Sequence, residues 1–194
     1  MNIKIKIAAA ACGLLALAGC GSAAAASGAA HPAASSHSTP VATAPAAPEA
    51  AGLGTTFGIT STDINGTVQS TFKIQLGKVT EPAQPDPQYA VPGASNPAAA
   101  PAGQHLAGAQ FTVTGLTGNM SDSVLEYSAL GSDHHRYDAS IGAAVAGNTT
   151  GFQVQPGQVQ TGMITFVIPD GVHITSVTYA PLVGSSPVTW EVTR

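Results

Sequence analysis

The densest group of side chains able to do chemistry in this sequence is Asp133, His134, His135 and Asp138. Imidazole and carboxylate groups are zinc ligands. Adjacent residues of a strand point to opposite faces of a sheet, so the two histidines can share one ion only if they lie in a turn. The preceding Gly131-Ser132 pair predicts such a turn. We interpret the cluster as a solvated hairpin tip and predict no metal site and no other cofactor.

Ser132, Asp133 and His134 also supply the residue types of a hydrolytic triad. They are contiguous, whereas the members of a triad come from separate elements and meet in space. The sequence offers no assembled acid–base pair and no nucleophile elbow, so we predict that the protein is not an enzyme. A metal-dependent enzyme is the least favoured alternative.

A second reactive group is the thiol of Cys20, which follows Leu17-Ala18-Gly19. Lys4 and Lys6 precede an apolar run over residues 7–17. This pattern is typical of a secretory signal and is too short for a lasting membrane span. The segment resembles the lipobox of bacterial lipoproteins, which implies removal of residues 1–19 and acylation of Cys20. The alternative is an ordinary signal peptide with a chance cysteine.

The composition of the mature chain excludes several kinds of site and partner. Cys12 would leave with the signal and Cys20 would carry lipid, so the folded part has no cysteine for a disulfide or a thiolate metal site. The mature chain keeps four basic residues against ten acidic ones. This balance excludes a basic patch, and we predict no binding to nucleic acid.

The chain divides into a signal peptide (1–19), a tether (20–52) and one domain (53–194). The tether contains mainly Ala, Ser, Thr, Pro and Gly and no aromatic residue. It cannot bury enough apolar surface to offset the entropy of ordering, so we predict that it is disordered.

The domain shows the two-residue periodicity of strands, with Phe72, Ile74 and Leu76 alternating with Lys73 and Gln75. Turn signals such as Asn65-Gly66 separate the runs. We therefore predict an all-β fold, an immunoglobulin-like antiparallel β-sandwich, with a closed barrel as the alternative. The predicted core comprises Phe72, Ile74, Phe111, Val113, Ile164, Phe166, Ile168, Val188 and Trp190.

Residues 81–103 interrupt this rhythm with six prolines. A connection of this length is unusual in a compact domain. We interpret it as a decoration between two strands.

Several motifs together resemble one known family. They are Gly54-Thr55-Thr56-Phe57, Gly108-Ala109-Gln110-Phe111, Leu130-Gly131-Ser132-Asp133, Gln155-Pro156-Gly157-Gln158, Val167-Ile168-Pro169-Asp170-Gly171 and Val188-Thr189-Trp190-Glu191. Their order is similar to the immunoglobulin-like family of secreted and lipid-anchored actinobacterial proteins, which includes a mycobacterial immunoprotective antigen and lipoproteins of unknown function. The resemblance implies a two-sheet sandwich and carries no catalytic residue.

These observations favour a lipid-anchored domain on the outer face of the cell membrane that acts as a non-catalytic binding module. The expected partners are the membrane, through Cys20, and an envelope or extracellular protein. The alternative is a structural or accessory envelope lipoprotein with no discrete ligand.

Overall fold

The structure is a computed structural model that describes residues 49–90, 92–93 and 95–193. The predicted signal peptide, Cys20 and most of the predicted tether lie outside the described residues. No helix within the described part is long and apolar enough to cross a bilayer.

Eleven strands form the described domain. In chain order they are β1 (Glu49–Gly52), β2 (Thr56–Thr62), β3 (Val68–Ala83), β4 (Gln104–Thr117), β5 (Met120–Ser121), β6 (Tyr127–Gly131), β7 (Arg136–Asp138), β8 (Gln153–Val154), β9 (Val159–Pro169), β10 (Ile174–Tyr179) and β11 (Val188–Glu191). The described helical structure is two short 3-10 turns, Pro87–Tyr89 and Val124–Glu126.

The strands form a β-sandwich, as predicted. One sheet has the order β1-β11-β10-β6-β7, the other has the order β2-β3-β4-β9, and β5 pairs with β8. The pairs are antiparallel except β1 with β11, which are parallel. The Asn65-Gly66 turn joins β2 to β3 and places Gly66 at φ 82°, a conformation that glycine adopts without strain.

Strand β1 lies within residues 20–52, for which the sequence predicts a tether. Ala51 lies opposite Trp190 of β11 and packs against the core. The segment Glu-Ala-Ala-Gly lacks the β-branched and aromatic residues that mark strands. Its place is set by backbone pairing to β11, which composition does not reveal.

The core lies between the two sheets, and all nine predicted core residues are buried there. Aromatic rings meet edge to face near its centre, with Phe57 and Trp190 centroids 5.1 Å apart and Phe111 and Tyr127 centroids 4.9 Å apart. The indole Nε1 of Trp190 donates a hydrogen bond to the Thr55 carbonyl at 2.8 Å, so its polar atom is satisfied.

The proline-rich connection packs against one face of the sandwich. Strand β3 continues to Ala83, so the connection spans residues 84–103. The backbone N–H of Asp86 donates to the Ala144 carbonyl at 2.8 Å, which ties the connection to the segment after β7. Beneath them Leu106, Ala143 and Val145 form a second small apolar cluster with Ala100 at its margin. The connection therefore helps to cover apolar side chains on the outer face of the β2-β3-β4-β9 sheet.

Strand directions give the sandwich two distinct ends. Glu49 lies opposite Val188, the first residue of β11, so the described chain begins beside the β10–β11 loop. Ser185 of that loop is hydrogen bonded to Thr60 of β2, near the β2–β3 turn. We call the end of the sandwich that carries Glu49, the β10–β11 loop and the β2–β3 turn the entry end. The opposite end carries the β6–β7 and β9–β10 turns.

Candidate functional site

All four described histidines lie at the end opposite the entry end. His105 is the second residue of β4, His134 and His135 are in the β6–β7 turn, and His173 is in the β9–β10 turn. We call this the histidine end. Sequence reasoning singled out only His134 and His135, because His105 and His173 are isolated in the sequence and approach only through the sheet topology.

The β6–β7 turn is a hairpin tip, as the sequence predicts. Asp133 Oδ1 accepts a hydrogen bond from the His135 backbone N–H at 3.1 Å, and Asp133 Oδ2 accepts from the Tyr137 hydroxyl at 2.7 Å. The Tyr137 hydrogen bond lowers the pKa of the Asp133 carboxyl below its usual range. His134 adopts a left-handed φ of 63°. Asp138 instead pairs with the Arg136 Nε at 3.0 Å, so the structure separates it from the rest of the predicted cluster.

A carboxylate missed by sequence reasoning organises the centre of the histidine end. Glu81 is near the end of β3, and its side chain is only 2% exposed. Its Oε1 accepts a hydrogen bond from His105 Nε2 at 2.8 Å and lies 3.6 Å from His173 Nδ1. Its Oε2 accepts from the Ile174 backbone N–H at 3.1 Å. One buried carboxylate therefore positions two imidazoles and the start of β10.

The two turns of this end are bound to each other. The Ser132 backbone N–H donates to the His173 carbonyl at 2.7 Å, and the His173 N–H donates to Ser132 Oγ at 3.1 Å. Gly171 has φ 83°, which lets the chain reverse tightly after Pro169. The two turns thus form one polar surface rather than independent loops.

A cavity of about 260 Å³ opens beside these residues. It is lined by Glu81, Pro82, His105, Asp170, Gly171 and His173. It is slightly smaller than the roughly 300–1,000 Å³ pockets that enclose whole small-molecule ligands. Among the described residues, no three His, Cys, Asp or Glu side chains meet in an arrangement that would hold a metal ion.

A second polar network, also missed from the sequence, lies near the entry end. Asp122 accepts hydrogen bonds from the Tyr127 hydroxyl at 2.5 Å and from the Phe152 N–H at 2.6 Å. Glu126 Oε2 accepts from the Tyr179 hydroxyl at 3.0 Å. Burial raises the pKa of both carboxyls, that of Asp122 to about 7. The Ser-x-x-Glu spacing at residues 123–126 is the sequence signal for the capping box seen here.

Removing the Glu81 carboxylate is expected to destabilise the histidine end. In Glu81→Ala the Ile174 N–H loses a buried acceptor, so we expect a loss of about 1–3 kcal/mol in the free energy of unfolding. Glu81→Gln keeps an acceptor oxygen and should lose less. Asp170→Asn, at an exposed side chain, serves as the control and should change stability by less than about 0.5 kcal/mol. Chemical denaturation measures all three, and an unchanged Glu81→Ala would contradict the organising role of Glu81.

Comparison with known proteins shows the fold. No family model matches the chain, and no curated protein matches it. Among solved structures, the chain is similar to MPT63, a secreted protein from Mycobacterium tuberculosis, with TM-score 0.53 and 22% identity over 76% of this chain and 99% of that one. Weaker likenesses are to the YjhA protein of Bacillus subtilis (TM-score 0.45, 13% identity, 75% and 99% covered) and to an uncharacterized β-sandwich protein of Clostridium difficile (TM-score 0.43, 7% identity, 76% and 95% covered). The similarity to MPT63 confirms, at the level of the fold, the resemblance drawn from the sequence.

Proposed function

We propose that this chain is a lipid-anchored protein of the outer face of the cell membrane, and that its β-sandwich is a non-catalytic binding module. The lipid anchor is supported by the sequence Leu17-Ala18-Gly19 directly before Cys20, which follows a basic and then an apolar segment. Acylation of Cys20 would tie the mature chain to the membrane. The shared fold with a secreted mycobacterial protein supports a location outside the cytoplasm.

We assign the binding surface to the histidine end. The described chain begins at the opposite end of the sandwich. The side chains of His135 and His173 are 76% and 54% exposed, beside the small cavity over Glu81. Exposed imidazoles, carboxylates and Arg136 suit the polar surface of an envelope or extracellular protein.

The contacts at this end support binding rather than catalysis. Ser132 Oγ accepts a backbone N–H from His173, and within the described residues no hydrogen bond joins a hydroxyl to an imidazole. A nucleophile activated by a neighbouring base commonly makes such a contact. The imidazole of His105 is instead hydrogen bonded to the buried Glu81 carboxylate.

Replacing Cys20 tests the anchor. Wild-type protein expressed in a lipoprotein-processing bacterium should partition into the detergent phase of a phase-separating detergent extract. Cys20→Ala should remain an unprocessed precursor that keeps residues 1–19, or be released into the aqueous phase, because the other cysteine, Cys12, does not follow Leu-Ala-Gly. Cys12→Ala is the matched control and should behave as wild type. A processed form of Cys20→Ala that partitions into detergent as wild type does would disprove the anchor.

Chemical cross-linking on intact cells tests the binding surface. We expect His134→Asn combined with His135→Gln to lose cross-linked partners that wild type captures, because these side chains form the exposed tip; Asn tolerates the left-handed φ at residue 134. The control Val159→Ser, at an exposed position of β9 near the entry end, keeps both lysines available for cross-linking and should retain the partners. Retention of every partner by the double variant would place the binding surface elsewhere.

A further inference from the structure

Exposed apolar side chains are concentrated at the entry end. Of the eleven large apolar side chains that are exposed in the described part of the chain, seven lie there: Ile64, Val68, Leu116, Leu125, Val159, Leu182 and Val183. Four of them project from three loops, with Ile64 90%, Leu182 78%, Leu125 66% and Val183 40% exposed. We call these four residues the apolar tips. Clustered exposed apolar residues mark an interaction surface.

The three loops that carry the apolar tips form one surface. The Ser185 N–H donates to the Thr60 carbonyl at 3.1 Å, which holds the β10–β11 loop against β2 and its turn. The Ala180 N–H donates to the Glu126 carbonyl at 2.8 Å, which holds the same loop against the 3-10 turn that contains Leu125. Leu182 and Val183 line one cavity of about 180 Å³ together with Ser61 and Glu126.

The loop structure keeps these side chains outside the core. In the β2–β3 turn, Asp63 Oδ1 accepts the N–H groups of Asn65 and Thr67 at 2.8 and 2.9 Å, which fixes the turn around Ile64. Residues 62–67, 123–126 and 180–187 contain no Lys or Arg. The surface therefore has no basic group with which to select an anionic partner, and burial of apolar area is its driving force.

The described chain also begins at this end. Glu49 lies opposite Val188, directly after the loop that carries Leu182 and Val183. Only residues 21–48 separate Cys20 from Glu49, and they can span at most about 100 Å when fully extended. A lipid on Cys20 would therefore hold the entry end within about 100 Å of the bilayer, and the linker reaches the domain at this end.

We infer that the apolar tips insert into the interfacial layer of the membrane that holds the Cys20 lipid, so that the domain stands on its entry end and presents the histidine end outward. This inference rests on the proposed lipid anchor. A few apolar side chains bind a bilayer only marginally by themselves. The anchor makes their contact with the bilayer intramolecular, which raises the effective concentration of the apolar tips at the membrane.

Fluorescent labels on the lipidated full-length protein test this orientation. Because Cys12 leaves with the signal and Cys20 is acylated, a cysteine introduced by Leu182→Cys or His135→Cys is the sole reactive thiol. Each variant carries an environment-sensitive dye and is reconstituted in phosphatidylcholine vesicles that contain a nitroxide-labelled lipid. We expect the dye at residue 182 to be quenched several-fold more strongly than the dye at residue 135. Replacing half of the lipid by phosphatidylglycerol should not increase this difference, because the loops carry the Asp63 carboxylate and no Lys or Arg.

A serine variant makes the test specific to the apolar tips. With a dye on Val183→Cys, the triple replacement Ile64→Ser, Leu125→Ser and Leu182→Ser should abolish the excess quenching while the protein still floats with the vesicles. The control Ile141→Ser changes a side chain that is 79% exposed away from this end and should retain it. Circular dichroism checks that each variant is folded.

The outcomes separate this inference from the anchor. Protein that floats with the vesicles but shows equal quenching at residues 182 and 135 overturns the membrane contact and leaves the anchor standing. Protein that does not float overturns both. A dye at residue 182 that stays unquenched on vesicles but is shielded on intact envelopes would assign the apolar tips to a protein partner, and this too overturns the inference.

Discussion

Phe166→Ala is expected to lower the free energy of unfolding by about 3–5 kcal/mol, because it combines lost apolar burial with a cavity that the surrounding sheets cannot fill. Phe166 is fully buried on the inner face of β9, where it lies opposite Ala107 of β4. The small alanine beside it leaves the ring as the main filler of this part of the core. Chemical denaturation of the purified domain measures the loss.

Val159→Ala provides the matched control on the same strand. Val159 is 62% exposed, so its truncation should change stability by less than about 0.5 kcal/mol. A loss below about 1 kcal/mol for Phe166→Ala would mean that the inner face of β9 is assigned to the wrong residues.

The inner faces of the long strands could be predicted because a strand alternates its side chains with a period of two. On β9, Ile164, Phe166 and Ile168 all face the core, and the sequence marks each of them. Strand β1 could not be predicted, because its parallel pairing with β11 depends on backbone hydrogen bonds and its four residues carry no strand signal. The alternation of apolar and polar residues reflects the burial of one face of a strand, and the residues of β1 bury little surface.

In the candidate site, too, residues that are close in the sequence could be predicted to lie together, whereas residues that are distant in the sequence could not. The β6–β7 hairpin tip was predictable because its turn signal and its histidines are contiguous. Glu81 and His105 are 24 residues apart in the sequence and meet only because β3 and β4 are adjacent strands. His173 joins them from the β9–β10 turn. A single sequence does not give the pairing register that brings such residues together.

From the polar network of Asp122 and Glu126 near the entry end, we expect the stability of the protein to fall as the pH rises. Asp122 faces Tyr127 and Phe152 through hydrogen bonds, and the carboxylate of Glu126 and the hydroxyl of Tyr179 lie in the same network. Burial is the largest cause that raises the pKa of Asp122 to about 7 from an ordinary value of 3.8, and the charge of Glu126 adds to it. The hydrogen bonds from Tyr127 and Phe152 oppose the shift without cancelling it.

The sign of the effect follows from proton binding. Between pH 4 and 7 the folded state holds a proton on Asp122 that the unfolded state has released, so the free energy of unfolding falls as the pH rises through this window. A shift from 3.8 to about 7 corresponds to a loss on the order of 4 kcal/mol, complete above the folded pKa. The protonated, neutral form of the Asp122 carboxyl is therefore the form that stabilises the folded protein.

Asp122→Asn should remove this dependence, because asparagine mimics the neutral acid at every pH. Its Oδ1 can still accept the Phe152 N–H, and its amide can donate to the Tyr127 hydroxyl. We expect the variant and wild type to have similar stability near pH 4, and the variant to be more stable above pH 7 by up to about 4 kcal/mol. Urea denaturation at several pH values measures the difference, in which the titration of groups common to both proteins largely cancels.

The exposed Asp63 supplies a control of opposite sign. The hydrogen bond from the Thr67 N–H lowers the pKa of Asp63, so its contribution to stability is present above the unfolded pKa and is lost as the pH falls. Asp63→Asn should thus leave the wild-type decline between pH 4 and 7 in place, whereas Asp122→Asn should flatten it. If Asp122→Asn kept the full decline, another group would have to be the one that releases its proton in this window, and the carboxyl of Glu126, whose pKa burial also raises, would be the next to replace.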